Sequence, residues 1–212
     1  MATKAEQSDA TRGALVAAAR QLFAEQGFAD TSTEAVVQAA GVTRGALYHH
    51  FRDKTALFQA VYEDLEQELV ARVAAQVAGL TDPLVILRRG CEAFLDACLD
   101  PAVLRVVLLE GPSVLGWETW REIDQAYGLG MVQATVEMAV QAKVIRRVPI
   151  EPTAHLLLGA LVEGAMLMAN APDRDRTRAD VGASMQALLD GLAILKPVKR
   201  VAPTRPPRKR TA

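Results

Sequence analysis

Residues 31–51 read TSTEAVVQAAGVTRGALYHHF. A threonine followed three places on by a glutamate is a helix start signal. Thr31 is therefore expected to cap a helix over about 32–40, with Glu34 completing a capping box. Gly41 supplies a left-handed turn residue, and Thr43 caps a second, short helix over about 44–50. Val36, Val37 and Ala40 give the first helix an inner face, Val42 plugs the turn, and Leu47 and Phe51 anchor the second helix from below. That leaves Arg44, Gly45, Tyr48 and His49 on the outside, polar and surplus to packing. Two capped helices about a tight turn, the second offering hydrogen-bonding side chains, form the pattern of a helix-turn-helix that enters the DNA major groove.

Outward from this stretch, apolar residues recur at three- and four-residue spacing, and proline is absent before Pro83. The expectation is an all-α chain of about nine helices. Leu15, Ala18, Leu22 and Phe23 share a face of a helix over 9–27, ended by Gly27. Asp53 caps a helix running to about 78, with Phe58, Val61, Leu65, Leu69, Val73 and Val77 in one seam. Pro83 after Asp82 opens the next helix, and Asp100-Pro101 repeats the signal for a short one. Gly111-Pro112 and Gly116 are expected to break the chain, and 117–142 to form one long helix. Two more helices follow, one between Pro152 and Pro172 and one at about 174–195. The expected divisions are 1–56 for DNA binding, 57–195 for effector binding and dimerisation, and a basic, Pro-rich disordered tail at 196–212.

Residues 9–58 resemble the N-terminal domain of the TetR (tetracycline-repressor-like) family. The matching features are Leu22-Phe23, Gly27-Phe28, Thr31-Ser32, Ala40-Gly41-Val42-Thr43, Gly45, Leu47-Tyr48-His49-His50-Phe51, Asp53-Lys54 and Leu57-Phe58. The resemblance implies a homodimeric transcriptional regulator, usually a repressor. Such proteins bind a palindromic operator and release it when a small molecule enters the C-terminal domain. Residue chemistry suggests roles within that frame. Arg44 suits a bidentate guanine contact, Thr43 a base methyl or phosphate, and Gly45 close backbone approach. Tyr48 and His49 suit phosphate and sugar contacts. Lys54 suits the flanking phosphate, and Thr31 a phosphate at a helix N-terminus. His50 has two readings, packing against the first helix or contacting DNA.

Composition narrows the alternatives. The chain has 24 Lys/Arg against 25 Asp/Glu, a net charge of −1, which excludes a uniformly basic coat. Seven of the basic residues fall in 196–212, with no acid, so the remainder is acidic at −8. The tail is therefore either a mobile arm attracted to phosphates or a solvated terminus. Two cysteines exclude a disulfide scaffold. No apolar run is expected to reach bilayer-spanning length and the N-terminus has no signal core, so a soluble cytoplasmic protein is expected. No nucleophile elbow, phosphate loop or acid pair accompanies the cysteines and His155, and the adjacent His49 and His50 make a poor metal pair. Neither enzyme, metal nor cofactor is expected. A rival regulator would sense oxidation through Cys91 and Cys98. Their seven-residue separation is too long for a direct disulfide, and their apolar stripe suggests buried, inert thiols.

The helix after Pro152 is apolar nearly all round and so must be covered on both faces. In the last helix Val181, Met185, Leu188, Leu192 and Leu195 form a heptad-like seam. Two copies of this pair would make a four-helix dimer interface, with Leu161, Met168, Val181, Met185, Leu188 and Leu192 as candidates. The candidate effector-chamber residues are Phe94, Cys98, Trp117, Trp120, Tyr127, Met131, His155 and Met166, each with a core-packing reading as well. Most of them present aromatic or sulfur surface, so an apolar or aromatic ligand is expected. His155 and Glu163 lie about two turns apart, suited either to a polar group of the ligand or to pairing across a dimer.

Overall fold

A computed structural model describes residues 3–194. Leu195 and the basic tail lie outside the described residues. The elements are α1 (Lys4–Gln26), α2 (Thr33–Ala40), α3 (Arg44–His50), α4 (Lys54–Val77), α5 (Pro83–Ala97), a π-helical segment (Val103–Glu110) that runs into α6 (Gly111–Leu115), α7 (Trp117–Ala126), α8 (Gly128–Gln141), α9 (Ile150–Asn170) and α10 (Arg174–Leu192). Among the described residues the only β pairing is an isolated bridge between Ile145 and Ala193. The all-α expectation holds, with ten α-helices among the described residues where about nine were expected.

The differences have local causes. α1 begins at Lys4, earlier than expected, because Thr3 and Glu6 form a reciprocal capping box. Gly111-Pro112 does not break the chain. The helical path runs from the π segment through both residues into α6 and carries on to Leu115. The break comes at Gly116, with φ +78°. The expected helix over 117–142 is two helices, parted at Tyr127 (φ −116°, ψ −93°) just before Gly128-Leu129-Gly130.

α1 packs on α4, and α2 and α3 pack on α1 and on each other. Phe23, Phe28 and Phe58 make a ring cluster with centroids 5.3–5.9 Å apart. Further along α4, Leu65, Leu69 and Val73 are buried in the body. A 24-residue helix is about 36 Å long, so α4 belongs to both parts. In the body α4 packs on α5 and the π segment, α8 on α5 and α9, and α10 on α9 and α5.

α9 is long and apolar enough to cross a membrane by length and composition, which corrects the expectation that no run approaches that size. Its buried face, Ala154, Leu157, Leu161, Ala165 and Met168, packs in the core. Polar Glu151 and Glu163 stand on its exposed side.

Candidate functional site

The turn geometry places the reading helix. Ser32 caps α2, its hydroxyl accepting from the Ala35 N–H at 3.1 Å. Gly41 adopts φ +65°, ψ +29°, the left-handed conformation that ends α2 and points the chain into α3. The Thr43 hydroxyl then accepts from the Ala46 N–H at 3.2 Å and starts α3. Leu47 is fully buried, whereas Thr43, Arg44, Gly45, Tyr48 and His49 are exposed on one surface. The Arg44 guanidinium lies over the Tyr48 ring and 3.2 Å from a Glu34 carboxylate oxygen. Both partners are well exposed, so this pair is weak and easily opened. His50 is half-buried, with its ring 5.2 Å from His49 and 6.4 Å from Phe51.

Two expected DNA contacts are corrected. Thr31 is buried, and its hydroxyl donates to the Gly27 carbonyl at 2.7 Å. It is neither the cap of α2 nor free for phosphate. Ser32 takes the cap, and Glu34 faces Arg44 rather than closing a box. Lys54 spends its ammonium protons on backbone carbonyls, of Phe28 at 2.6 Å, Thr31 at 2.9 Å and Ala29 at 3.4 Å. It also sits 4.3 Å above the Phe28 ring. Lys54 is a clamp tying α4 to the loop between α1 and α2.

Behind this head the body encloses a cavity of about 380 Å³, within the size range of ligand pockets. Of the eight expected lining residues, Phe94, Trp120, Met131 and His155 line it. The other four do not. Cys98 is packed at the end of α5, and Trp117 is 65% exposed on the outside of α7. Tyr127 sits at the α7–α8 joint, where Gln67 Nε2 donates to its hydroxyl at 3.0 Å. Met166 lies beyond the part of α9 that faces the cavity, which ends at Val162. Glu163 is exposed and does not line the cavity, whereas His155 does.

The polar floor was not foreseen. Tyr62 and Glu66 from α4 face Arg121 and Asp124 from α7, with His155 from α9 nearby. The Tyr62 hydroxyl donates to Glu66 Oε1 at 3.2 Å, and the Arg121 Nη1 donates to Asp124 Oδ2 at 3.1 Å. Burial, reinforced by the Asp124 charge, pushes the Glu66 carboxyl up to about 7. Burial also raises Asp124, against the pull of Arg121, and raises the Tyr62 phenol. Arg121 lies 4.6 and 4.7 Å from the Trp117 and Trp120 rings.

A second unforeseen contact joins cavity and head. Val107 and Leu108 of the π segment line the cavity. From the same segment, Glu110 Oε2 accepts the Phe28 N–H at 2.9 Å and Arg105 Nη1 donates to the Glu25 carbonyl at 2.8 Å. Gly27 has φ +86°, and a Cβ there would lie 2.6 Å from Glu110 Oε1. Only glycine combines that backbone with that approach.

Residues 15–61 match the tetR family of bacterial regulatory proteins, and residues 85–192 match the tetracyclin repressor-like C-terminal domain. The chain belongs to the TetR family. A TetR-family transcriptional regulator from Pectobacterium atrosepticum is 32% identical, with 92% of this chain and 99% of that one covered, at a TM-score of 0.76. The transposon Tn10 TetC protein of Escherichia coli is 29% identical over 73% of this chain and 78% of its own length. The HTH-type transcriptional regulator AcrR of Shigella flexneri is 42% identical, over 42% of each chain. Against AcrR, therefore, the match spans less than half of the relative. This TetR-family protein is a helix-turn-helix DNA-binding transcriptional regulator.

Nothing supports oxidation sensing. Cys91 and Cys98 are both buried, and desolvation pushes each thiol up to about 12, leaving little thiolate at neutral pH.

Proposed function

We propose that this TetR-family regulator is a cytoplasmic, homodimeric repressor released from a palindromic operator by a small molecule held in the α4–α9 cavity. The observation that carries the reading is the sharing of elements. α4 both supports the reading helix and lines the cavity, and the π segment touches both. On this reading Arg44 contacts a base edge, Thr43 and Gly45 meet the groove wall, and Tyr48 and His49 hold backbone groups. The free N–H groups at the start of α2, capped by Ser32, take the phosphate role first assigned to Thr31.

An effector pressing on Val107, Leu108 and the α4 wall shifts the π segment and α4 relative to each other. Glu110 and Arg105 pass that shift to the Glu25–Phe28 loop, and the two reading heads of the dimer change spacing. Release requires that the ligand bind the DNA-incompatible state more tightly, since equal affinity shifts no population.

The dimer reading needs a revised surface. Leu161, Met168 and Met185 are buried in the subunit's own core, and Val181 packs against Gly164. Leu192 is half-buried and Leu188 is exposed. The outward apolar side chains of the pair are Leu156 and Leu167 on α9 and Leu188 on α10, beside the small Gly159, Ala183, Ala187 and Gly191. A second copy of this face is the proposed partner.

The test is selection of bound fragments from genomic DNA, followed by titration of the selected operator and of random DNA at fixed salt. A two-fold symmetric site bound well above random DNA is the expected result. Equal affinity for both would overturn the proposal.

A further inference from the structure

The cavity has one apolar end and one acidic end. Its α4 wall runs from Tyr62 and Glu66 through Leu69, Val70 and Val73 to Val77. Eleven residues separate Glu66 from Val77, about 16 Å of helix. Ile86, Leu87 and Phe94 of α5 and Leu157, Leu158, Leu161 and Val162 of α9 continue the apolar lining.

Glu66 is only 4% exposed, yet its Oε2 has no hydrogen-bond partner in the protein. Its other oxygen is engaged by Tyr62. Among the described residues this is the one buried side-chain polar atom left without a partner. Arg121 is already committed, bonded to Asp124 and stacked beside two indole rings, and His155, the other basic side chain of the lining, makes no hydrogen bond to Glu66. Asp124 adds a second acid, and a Cβ placed on Gly128 would be in ordinary contact with both carboxylates, 3.7 Å from Asp124 Oδ1 and 3.9 Å from Glu66 Oε2. Buried acceptors demand donors, and buried carboxylates demand cations. Phe94, Tyr62 and Trp120 add ring faces that attract positive charge.

We infer that the effector is an amphiphilic amine whose ammonium group donates to Glu66 Oε2 while its apolar body lies along α4 toward Val77. The inference rests on the reading of this cavity as the effector site and narrows it. The apolar ligand expected from sequence becomes an apolar cation. Glu66 selects for charge and supplies the missing donor's partner. The α4 and α9 aliphatic side chains select for length and exclude water from the ion pair. Because Glu66 stands on α4, the ion pair forms directly on the helix that carries the reading head.

The experiment uses three probes with one decyl chain: decylamine, decanol and decanoate, each below its micellar concentration. Binding to the full-length protein is followed by calorimetry and by Trp120 fluorescence, with selected operator DNA present in a parallel assay. The expected order is amine over alcohol by at least tenfold, with decanoate weakest. Glu66→Gln, which keeps shape and a polar group, is expected to remove the amine preference while leaving alcohol binding within about twofold. A Val73→Trp variant, which fills the apolar channel, is expected to weaken amine and alcohol together. Preference for decanol or decanoate, an amine preference unchanged in Glu66→Gln, or no binding by any probe would overturn the inference. The two readings separate cleanly. Amine binding that leaves the operator bound sinks the release mechanism and keeps the cation site. Operator release by all three probes alike sinks the cation site and keeps the release mechanism.

Discussion

Arg44 and Lys54 looked alike in the sequence, two basic residues flanking a reading helix, and the fold divides them. Arg44 is exposed and held only by a weak pair with Glu34, so Arg44→Ala is expected to cost about 1–3 kcal/mol of operator discrimination at one base per half-site. Lys54→Ala is expected to lower folding stability by about 2 kcal/mol, since three carbonyls lose a charged donor. Denaturation midpoints and the salt slope of DNA binding check this, and the slope should not change. Glu66 carries a separate prediction. In the folded chain its proton is held to about pH 7, against an ordinary 4.5. Between those values the folded state binds a proton the unfolded chain has lost, so stability falls as pH rises through that window and stays low above it. Tyr62, Asp124 and Cys98 are the titratable groups coupled to it. Glu66→Gln should therefore stabilise the protein at pH 8, by at most about 3 kcal/mol, and change little at pH 4. Melting curves across this range measure it, with a residual slope from Asp124.

Among the elements, legibility followed the locality of the signal. The turn of α2 into α3 depends on Gly41, Thr43 and their immediate neighbours, and the sequence displayed it. Asp53 and Asp82-Pro83 announced α4 and α5 in the same way. Thr31 misled because threonine followed by glutamate at the third place is a cap signal, and only the packed loop reveals that its hydroxyl turns back to Gly27. The split at Tyr127 was marked by Gly128 and Gly130, which a helical apolar pattern across 117–142 overrode. Glu66 was visible as well, four places after Tyr62 and three before Leu69 within the apolar seam of α4. What it meets, Asp124, comes from α7 and no local pattern could pair them. Glu110 was silent for the same reason, since its partner Phe28 is distant in sequence. The π segment is where mechanism should concentrate. Glu110→Gln keeps the segment's shape but weakens its hold on the Phe28 N–H, a charge-assisted bond. Effector affinity should then stay within about twofold while operator release is blunted, as read from operator titrations with and without saturating effector.

For the whole molecule, the outward faces of α9 and α10 are the proposed dimer interface. Leu156 is 75% and Leu188 56% exposed in the single subunit, and both lie outside the core that Leu161, Met168 and Met185 complete. Leu156→Glu with Leu188→Glu should give a one-chain sedimentation mass at micromolar concentration with the same helical content. A dimer mass in that variant would place the interface elsewhere. The asymmetry of charge also has a structural counterpart. The body's basic residues are largely tied up, with Arg88 paired to Asp190 and Arg178 to Glu92 and Asp96. Arg44 and Arg52, on the reading head, keep their own side chains 68% and 83% exposed despite their pairs with Glu34 and Asp53.

The ring cluster of Phe23, Phe28 and Phe58 bears on how such a protein can be taken apart. A cut at residue 56, where the sequence suggested a boundary, would strip Phe58 from its two partners and leave the head without its floor. Grafting this head onto another sensor would therefore succeed only with a graft carried along α4 through Leu65. A hybrid joined at 56 should melt early, and one joined past Leu65 should keep operator binding. Recombination among relatives meets the same restriction: the unit of exchange is not the reading head but the head together with half of the α4 rod.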